Sequence, residues 1–283
     1  ITNSQKVRDA QKATLEYLLL NHPLDCPVCD QAGECGLQDF SYRYGRGYSR
    51  LNEPKNLKPD KDYIGDQITL FTDRCIMCTR CVRFTREISG TAELLVINRG
   101  SHEEIDIFPG EPCNNKLAGN VVDLCPVGAL GDKDFLYKQR VWFMKKHDGV
   151  CSGCSTGCSI SIEENQDTVF RLKPRENPFI NDYWMCDPGR YGYAYIHSPH
   201  RLLEPRRLIN GKPVNIEWSE IPQAIDAELS KVLSENSGQR LAVVVSPFLT
   251  VEEAYLLCKL AMDKDPSALL ALGPVPIEGT DER

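Results

Sequence analysis

Apolar positions recur at helical spacing between residues 4 and 20, where Val7, Ala10, Thr14, Tyr17 and Leu18 share one face. That helix is expected to end at Asn21-His22-Pro23, because proline cannot continue it. Residues 41–66 are rich in Gly, Pro, Asn and charge and predict a loop segment that wraps the surface. A small mixed unit follows. Strands are expected at Ile68–Thr72, Glu93–Asn98 and Glu104–Phe108. Helices are expected near Val82–Ile88, stopped by Gly90, and near Leu117–Leu124, ended by Pro126. Val141–Lys146 reads as a strand, and Ser159–Glu163 with Thr168–Leu172 as a hairpin. Asn210-Gly211 between Arg207–Ile209 and Pro213–Ile216 is a strong hairpin turn.

After about residue 218 the pattern changes. Ser219–Ser234 reads as a helix and Leu241–Ser246 as an apolar, β-branched strand. Thr250-x2-Glu253 forms a capping box that opens a helix to Met262. Ala268–Leu272 is a further short strand. Helix–strand–helix–strand is the opening of an α/β domain. The predicted class is therefore α+β followed by α/β. Two strands do not complete a parallel sheet, and the chain starts at Ile1 without a methionine, so it reads as a piece of a longer protein.

Composition narrows the function. The chain has 283 residues, 41% hydrophobic and 26% charged, as ordinary globular proteins are. No apolar run approaches a membrane span, and no signal peptide is visible. A net charge of −7 without a Lys/Arg block argues against nucleic acid as a partner. No GxGxxG, Walker loop or GxSxG elbow is present, so no nucleotide site or nucleophile is expected.

Thirteen cysteines against five histidines are the unusual count, and eleven of those cysteines are grouped. The first set is His22-x3-Cys26-x2-Cys29-x5-Cys35. The second is Cys75-x2-Cys78-x2-Cys81 with a distant Cys125 before Pro126. The third is Cys151-x2-Cys154-x3-Cys158 with a distant Cys186. Four soft ligands per set suit zinc or iron–sulfur chemistry. Three cysteines at x2 spacing with a distant fourth before proline is the ferredoxin pattern for a [4Fe–4S] cluster. Zinc sites more often use two separated pairs. Sets two and three are three plus one, which favours clusters, most strongly for set two. Set one also fits a Cys3His zinc site. Disulfides fit least well, since pairing does not require clustering in threes. Cys113 and Cys258 are left over. Cys258 reads as a core cysteine on a helix, and Cys113 as a spare thiol in a loop near set two. His102, His147, His197 and His200 lack ligand-type spacing.

The segments NHPLDCPVCDQAGECGLQD, DRCIMCTRCVRFTREISG and GNVVDLCPVGAL resemble respiratory complex I. The likeness is to the large iron–sulfur subunit of NADH–quinone oxidoreductase, known as its G subunit, and covers nearly the whole chain. It implies a [4Fe–4S] cluster on His22, Cys26, Cys29 and Cys35, and another on Cys75, Cys78, Cys81 and Cys125. A third, present in some bacterial members, falls on Cys151, Cys154, Cys158 and Cys186. It also implies four parts: residues 1–40 for the first site, 41–140 for a ferredoxin-like domain, 141–205 for the third site, and 206–283 for the start of a molybdopterin-oxidoreductase-like domain. The family's [2Fe–2S] domain would precede Ile1. Implied partners are the NADH- and FMN-binding subunit and the iron–sulfur subunits toward quinone. The implied location is peripheral, on the cytoplasmic side of a bacterial inner membrane.

A formate dehydrogenase alpha subunit and an NAD-linked hydrogenase subunit share this modular order. Formate dehydrogenases usually carry lysine two residues after the fourth cysteine of set three, where this chain has Pro188. They and iron hydrogenases usually carry two adjacent ferredoxin-type runs, where this chain has one. The rival of a different class is a structural module held by zinc, though a chain of this length needs no metals to fold. Oxidised clusters would add five negative charges and take the chain to about −12. Arg74, Arg80, Arg83 and Arg86 crowd set two in sequence, either to offset that charge or as a solvated helix face.

Overall fold

The computed structural model describes residues 2–235, 238 and 240–273. Two compact units emerge: Ile1–Cys151 with Thr156–Tyr193, and Ser152–Ser155 with Ala194–Arg283.

The first unit opens with α1 (Gln5–Leu19), capped by Ser4, whose hydroxyl accepts the Val7 N–H at 3.3 Å. A second helix, α2 (Gly36–Tyr44), packs against α1 and buries Leu37. Its last turn lies inside the segment expected to be loop from residue 41. The glycines and charges of that segment hid the helix, which begins within the first cysteine set. Short strands β1 (Ile68–Leu70) and β4 (Leu130–Asp132) pair antiparallel. At three residues, β4 is too short to show a period, and it was not expected from the sequence. Between them come α3 (Arg80–Glu87), the antiparallel pair β2 (Leu94–Ile97) and β3 (Glu104–Ile107), and α4 (Asn120–Leu124). Their shared core holds Ile64, Ile68, Leu70, Phe84, Leu94, Ile105, Val121 and Val127.

A three-stranded sheet follows, in the order β5 (Lys145–Val150), β6 (Ser159–Asn165), β7 (Thr168–Pro174). The strand expected at Val141–Lys146 begins later, because Val141–Phe143 forms a 3₁₀ turn. Cross-strand pairing, not apolar pattern, defines β5. Lys146 sits opposite Glu163 and pairs with it at 3.1 Å. Between β6 and β7, Gln166 and Asp167 take φ of 50° and 61°, the two-residue turn that matches strand twist. The unit continues through α5 (Asp187–Tyr191).

In the second unit, Asn210 (φ 53°) and Gly211 (φ 77°) join β8 (Arg206–Ile209) to β9 (Lys212–Asn215), as their sequence predicts. Then come α6 (Ile221–Glu235), β10 (Ala242–Val245), α7 (Val251–Lys264) and β11 (Leu269–Leu272), with β10 and β11 paired in parallel. The expected capping box is formed. Thr250 Oγ accepts from Glu253 N at 3.2 Å, and Glu253 accepts from Thr250 N at 2.9 Å. Thr250→Ala is expected to destabilise α7 by about 1 kcal/mol, read as a lowered thermal midpoint. The positions expected to continue this unit to residue 283 include 274–283, which lie outside the described residues. Among the described residues, no helix is long and apolar enough to cross a membrane.

Candidate metal centres

The first set hangs from the end of α1. A strap formed by residues 50–56 holds that end. Lys55 Nζ donates to the carbonyls of Leu19 and Leu20 at 3.1 and 2.8 Å. Asn56 N–H donates to the Asn21 side chain at 3.1 Å, and Arg50 grips Glu16 with two bonds of 2.6 and 2.8 Å. The segment expected only to wrap the surface is thus what fixes the residue before His22. His22 Nδ1 is buried with no hydrogen-bond partner. Burial, helped by the Lys55 charge, holds the imidazole below its usual pKa and so keeps it neutral. A buried, neutral, unpartnered ring nitrogen is in the state a metal ligand requires.

Cys26 opens a 3₁₀ turn (Cys26–Val28), Cys29 follows it, and Cys35 is the N-cap of α2. Burial pushes the Cys35 thiol up, and the nearby Cys29 and Cys26 thiols add to the shift. Arg140 holds the loop by donating to the Cys29 carbonyl at 2.7 Å. Arg74, expected near the second set, is buried and pairs with Asp25 at 2.9 Å, directly before Cys26. Arg80 is exposed and edges the second site, and Arg83 and Arg86 face solvent.

The second set is gathered best. Cys75, Cys78, Cys81 and Cys125 line one cavity of about 350 Å³, its mouth included. Met77 and Thr79 flank Cys78 with φ of 52° and 59°, and these left-handed residues turn the loop inward. Met77 N–H donates to Cys75 Sγ at 3.4 Å. α3 carries Cys81 and α4 delivers Cys125. Burial pushes Cys75 up to about 11 and Cys81 up to about 12, and each is raised further by the neighbouring thiols. Burial raises Cys125 too, opposed by the N–H groups of Leu130, Val127 and Ala129. Cys75, Cys81 and Cys125, which burial holds toward the thiol form, need positive charge beside them before they become ligands.

In the third set, β5 leads into Cys151, whose N–H donates to Cys158 O at 2.8 Å. Cys186 caps α5 and accepts the Gly189 N–H at 3.4 Å. The Cys151 and Cys186 sulfurs both face Gly189, whose Cβ, if present, would lie 3.0 and 3.4 Å from them. Cys154 belongs to the segment Ser152–Ser155 of the second unit.

Sequence reasoning missed the residues that tie the second and third sets together. Asn120, at the start of α4, is fully buried. Its amide donates to Met185 O at 2.7 Å and accepts from Met185 N at 3.1 Å. Asp187 accepts the Gly119 N–H at 2.8 Å, and Arg190 pairs with Asp123 at 2.5 Å. The hint in the sequence was two polar residues, Asn120 and Asp123, among the apolar residues of that helix. Cys113 is buried in the core with its thiol pushed well up by burial, and Cys258 is half-buried on α7. No disulfide joins any cysteine among the described residues. Nor, among them, do three or more His, Cys, Asp or Glu side chains gather closely enough to hold a single metal ion.

Three family models match, and each encloses one cysteine set. Residues 11–50 match an NADH-ubiquinone oxidoreductase-G iron-sulfur binding region. Residues 65–131 match the ferredoxin-like domain of NADH-quinone oxidoreductase subunit 3. Residues 144–198 match a molybdopterin oxidoreductase Fe4S4 domain. The G subunit of NADH-quinone oxidoreductase from Rickettsia typhi is 37% identical over 93% of this chain and 38% of its own length. The 75 kDa subunit of NADH-ubiquinone oxidoreductase of Reclinomonas americana is 35% identical over 98% of this chain and 39% of its own. The chain belongs to the family of NADH-quinone oxidoreductase G subunits.

It spans 38% of the length of the first of those family members. It contains iron–sulfur-binding domains of the ferredoxin-like and molybdopterin-oxidoreductase Fe4S4 types. A crystal structure of an NAD⁺-reducing [NiFe]-hydrogenase in the H2-reduced state is also similar, at 24% identity and a TM-score of 0.44. It covers 49% of this chain and 60% of the hydrogenase chain.

Proposed function

We propose that the chain is an electron relay in an NADH:quinone oxidoreductase, carrying electrons from a flavin-bearing partner subunit toward quinone. Three [4Fe–4S] clusters would supply the one-electron chemistry. His22, Cys26, Cys29 and Cys35 would hold the first; Cys75, Cys78, Cys81 and Cys125 the second; Cys151, Cys154, Cys158 and Cys186 the third. Cys154 joins its set by sequence spacing alone. The organisation that suits this is residues 1–40, 41–140, 141–205 and 206–283. Partners would be the NADH- and FMN-binding subunit and the iron–sulfur subunits on the quinone side, with the chain peripheral on the cytoplasmic face of a bacterial inner membrane.

The observation that carries the proposal is the second cavity, walled by four cysteines. A single zinc ion draws its sulfurs to ~2.3 Å. Cys75, Cys78, Cys81 and Cys125 would instead hold a [4Fe–4S] cluster, which would supply one-electron transfer there. The protein's own residues do the rest. Apolar walls from Leu70, Ile105 and Val127 keep water from the second site. The Met77 N–H aimed at Cys75 favours its thiolate form. Anaerobic purification is expected to give about twelve iron and twelve acid-labile sulfide per chain, four of each per site. Zinc without sulfide would overturn the proposal in favour of a zinc-held structural module.

A further inference from the structure

The loop after Cys125 belongs to the second set by sequence, yet it meets the sulfurs of the first. A Cβ on Gly128 would overlap Cys29 Sγ and stand 3.2 Å from the Gln31 side chain. Two residues earlier in the same turn, the Pro126 carbonyl oxygen lies 3.8 Å from Cys35 Sγ. The φ of Gly128 is not positive, so no left-handed backbone calls for glycine there. The missing side chain answers to the sulfur and not to a turn. Gly131 provides the contrast. A Cβ there would meet only carbon, from Thr69, Phe71 and Leu136 at 3.1–3.3 Å.

Cys29 has little freedom to retreat. Its carbonyl is held by Arg140 at 2.7 Å, and its N–H donates to Cys26 O at 3.4 Å. A methyl group at residue 128 would therefore turn the thiol away from the direction it now takes. Carbon and sulfur need van der Waals separation, which here means a displacement on the order of an ångström. Ligand geometry tolerates about half that.

We propose that Gly128 is a positioning residue for the first site. Its bare backbone is the seat against which Cys29 stands, so the first site is completed by the loop that carries the fourth ligand of the second. At Gly189 the approach is looser, a Cβ there lying 3.0 Å from Cys151 Sγ and 3.4 Å from Cys186 Sγ. The Gly128 seat rests on the cluster-binding reading given above.

The test compares the full chain with its Gly128→Ala, Gly131→Ala and Cys26→Ala variants, each prepared anaerobically with iron and sulfide. Low-temperature EPR of the reduced proteins is read together with iron content and far-UV circular dichroism. Cys26→Ala identifies the signal of the first cluster. Gly128→Ala is expected to lose that signal several-fold and to fall from about twelve iron to about eight. The other two signals and the dichroism stay as in the parent and report that the chain has folded. Gly131→Ala is expected to keep all three signals. The seat is overturned if Gly128→Ala keeps the first signal with unchanged g-values. It is overturned equally if Gly128→Ala and Gly131→Ala lose all three signals alike, since the effect would then be general misfolding. A parent chain without iron and sulfide would overturn the cluster-binding reading itself, and the seat with it.

Discussion

Arg190→Met is expected to destabilise the first unit by about 3 kcal/mol, read as a lowered urea midpoint against the parent. Arg190 is 3% exposed and is the closest partner of Asp123, at 2.5 Å. It also donates to Leu172 O and to the Asn120 side chain, each at 3.4 Å. Methionine keeps the bulk and removes the charge, so Asp123 loses its main partner within the fold. Lys173 stays 3.5 Å from Asp123, which places the loss at the lower end of the range for a broken buried pair. Asp123→Asn in the Arg190→Met background should recover part of the loss, because no lone charge then remains. A loss under about 1 kcal/mol would show that the pair is not what joins α4 to the Cys186 segment.

His22→Cys is expected to lower the reduction potential of the first cluster by on the order of 100 mV. An oxidised four-thiolate [4Fe–4S] site carries a formal charge of −2, and a neutral imidazole in place of one thiolate leaves −1. Less negative charge makes adding an electron easier. The surroundings support a neutral histidine here, since burial and the nearby Lys55 both disfavour a protonated ring. Lys55 and Arg74 stay in place in the variant, so the change isolates the ligand's own charge. Redox titration of the first EPR signal gives the answer, and a rise in potential would refute the charge argument.

Local patterns proved legible wherever one segment carries its own instructions. The Asn210-Gly211 turn and the Thr250–Glu253 capping box each specify their structure within a few residues. The α1 pattern specified the helix but not its face, since Leu15 with Leu18 and Leu19 packs inward while Ala10, Thr14 and Tyr17 are exposed. Structures set by distant partners were not legible. β4 is a strand only because β1 pairs with it, and β5 because Lys146 lies opposite Glu163. The helix α2 was hidden because its start coincides with a ligand loop.

The candidate sites divide along the same line. Spacing nominated the ten clustered candidates, because a chelating loop must bring its ligands together over a few residues, while Cys125 and Cys186 were added from farther along the chain. It said nothing of Lys55, Asn120, Gly128 or Arg190, which are remote in sequence from what they hold. Arg74 shows the limit most plainly. Its neighbours in the chain placed it with the second set, and its buried contact with Asp25 places it with the first. For the ten clustered candidates, nomination is a short-range property of the sequence. Ligand position depends on segments that meet only after folding, and so the tertiary structure alone decides it.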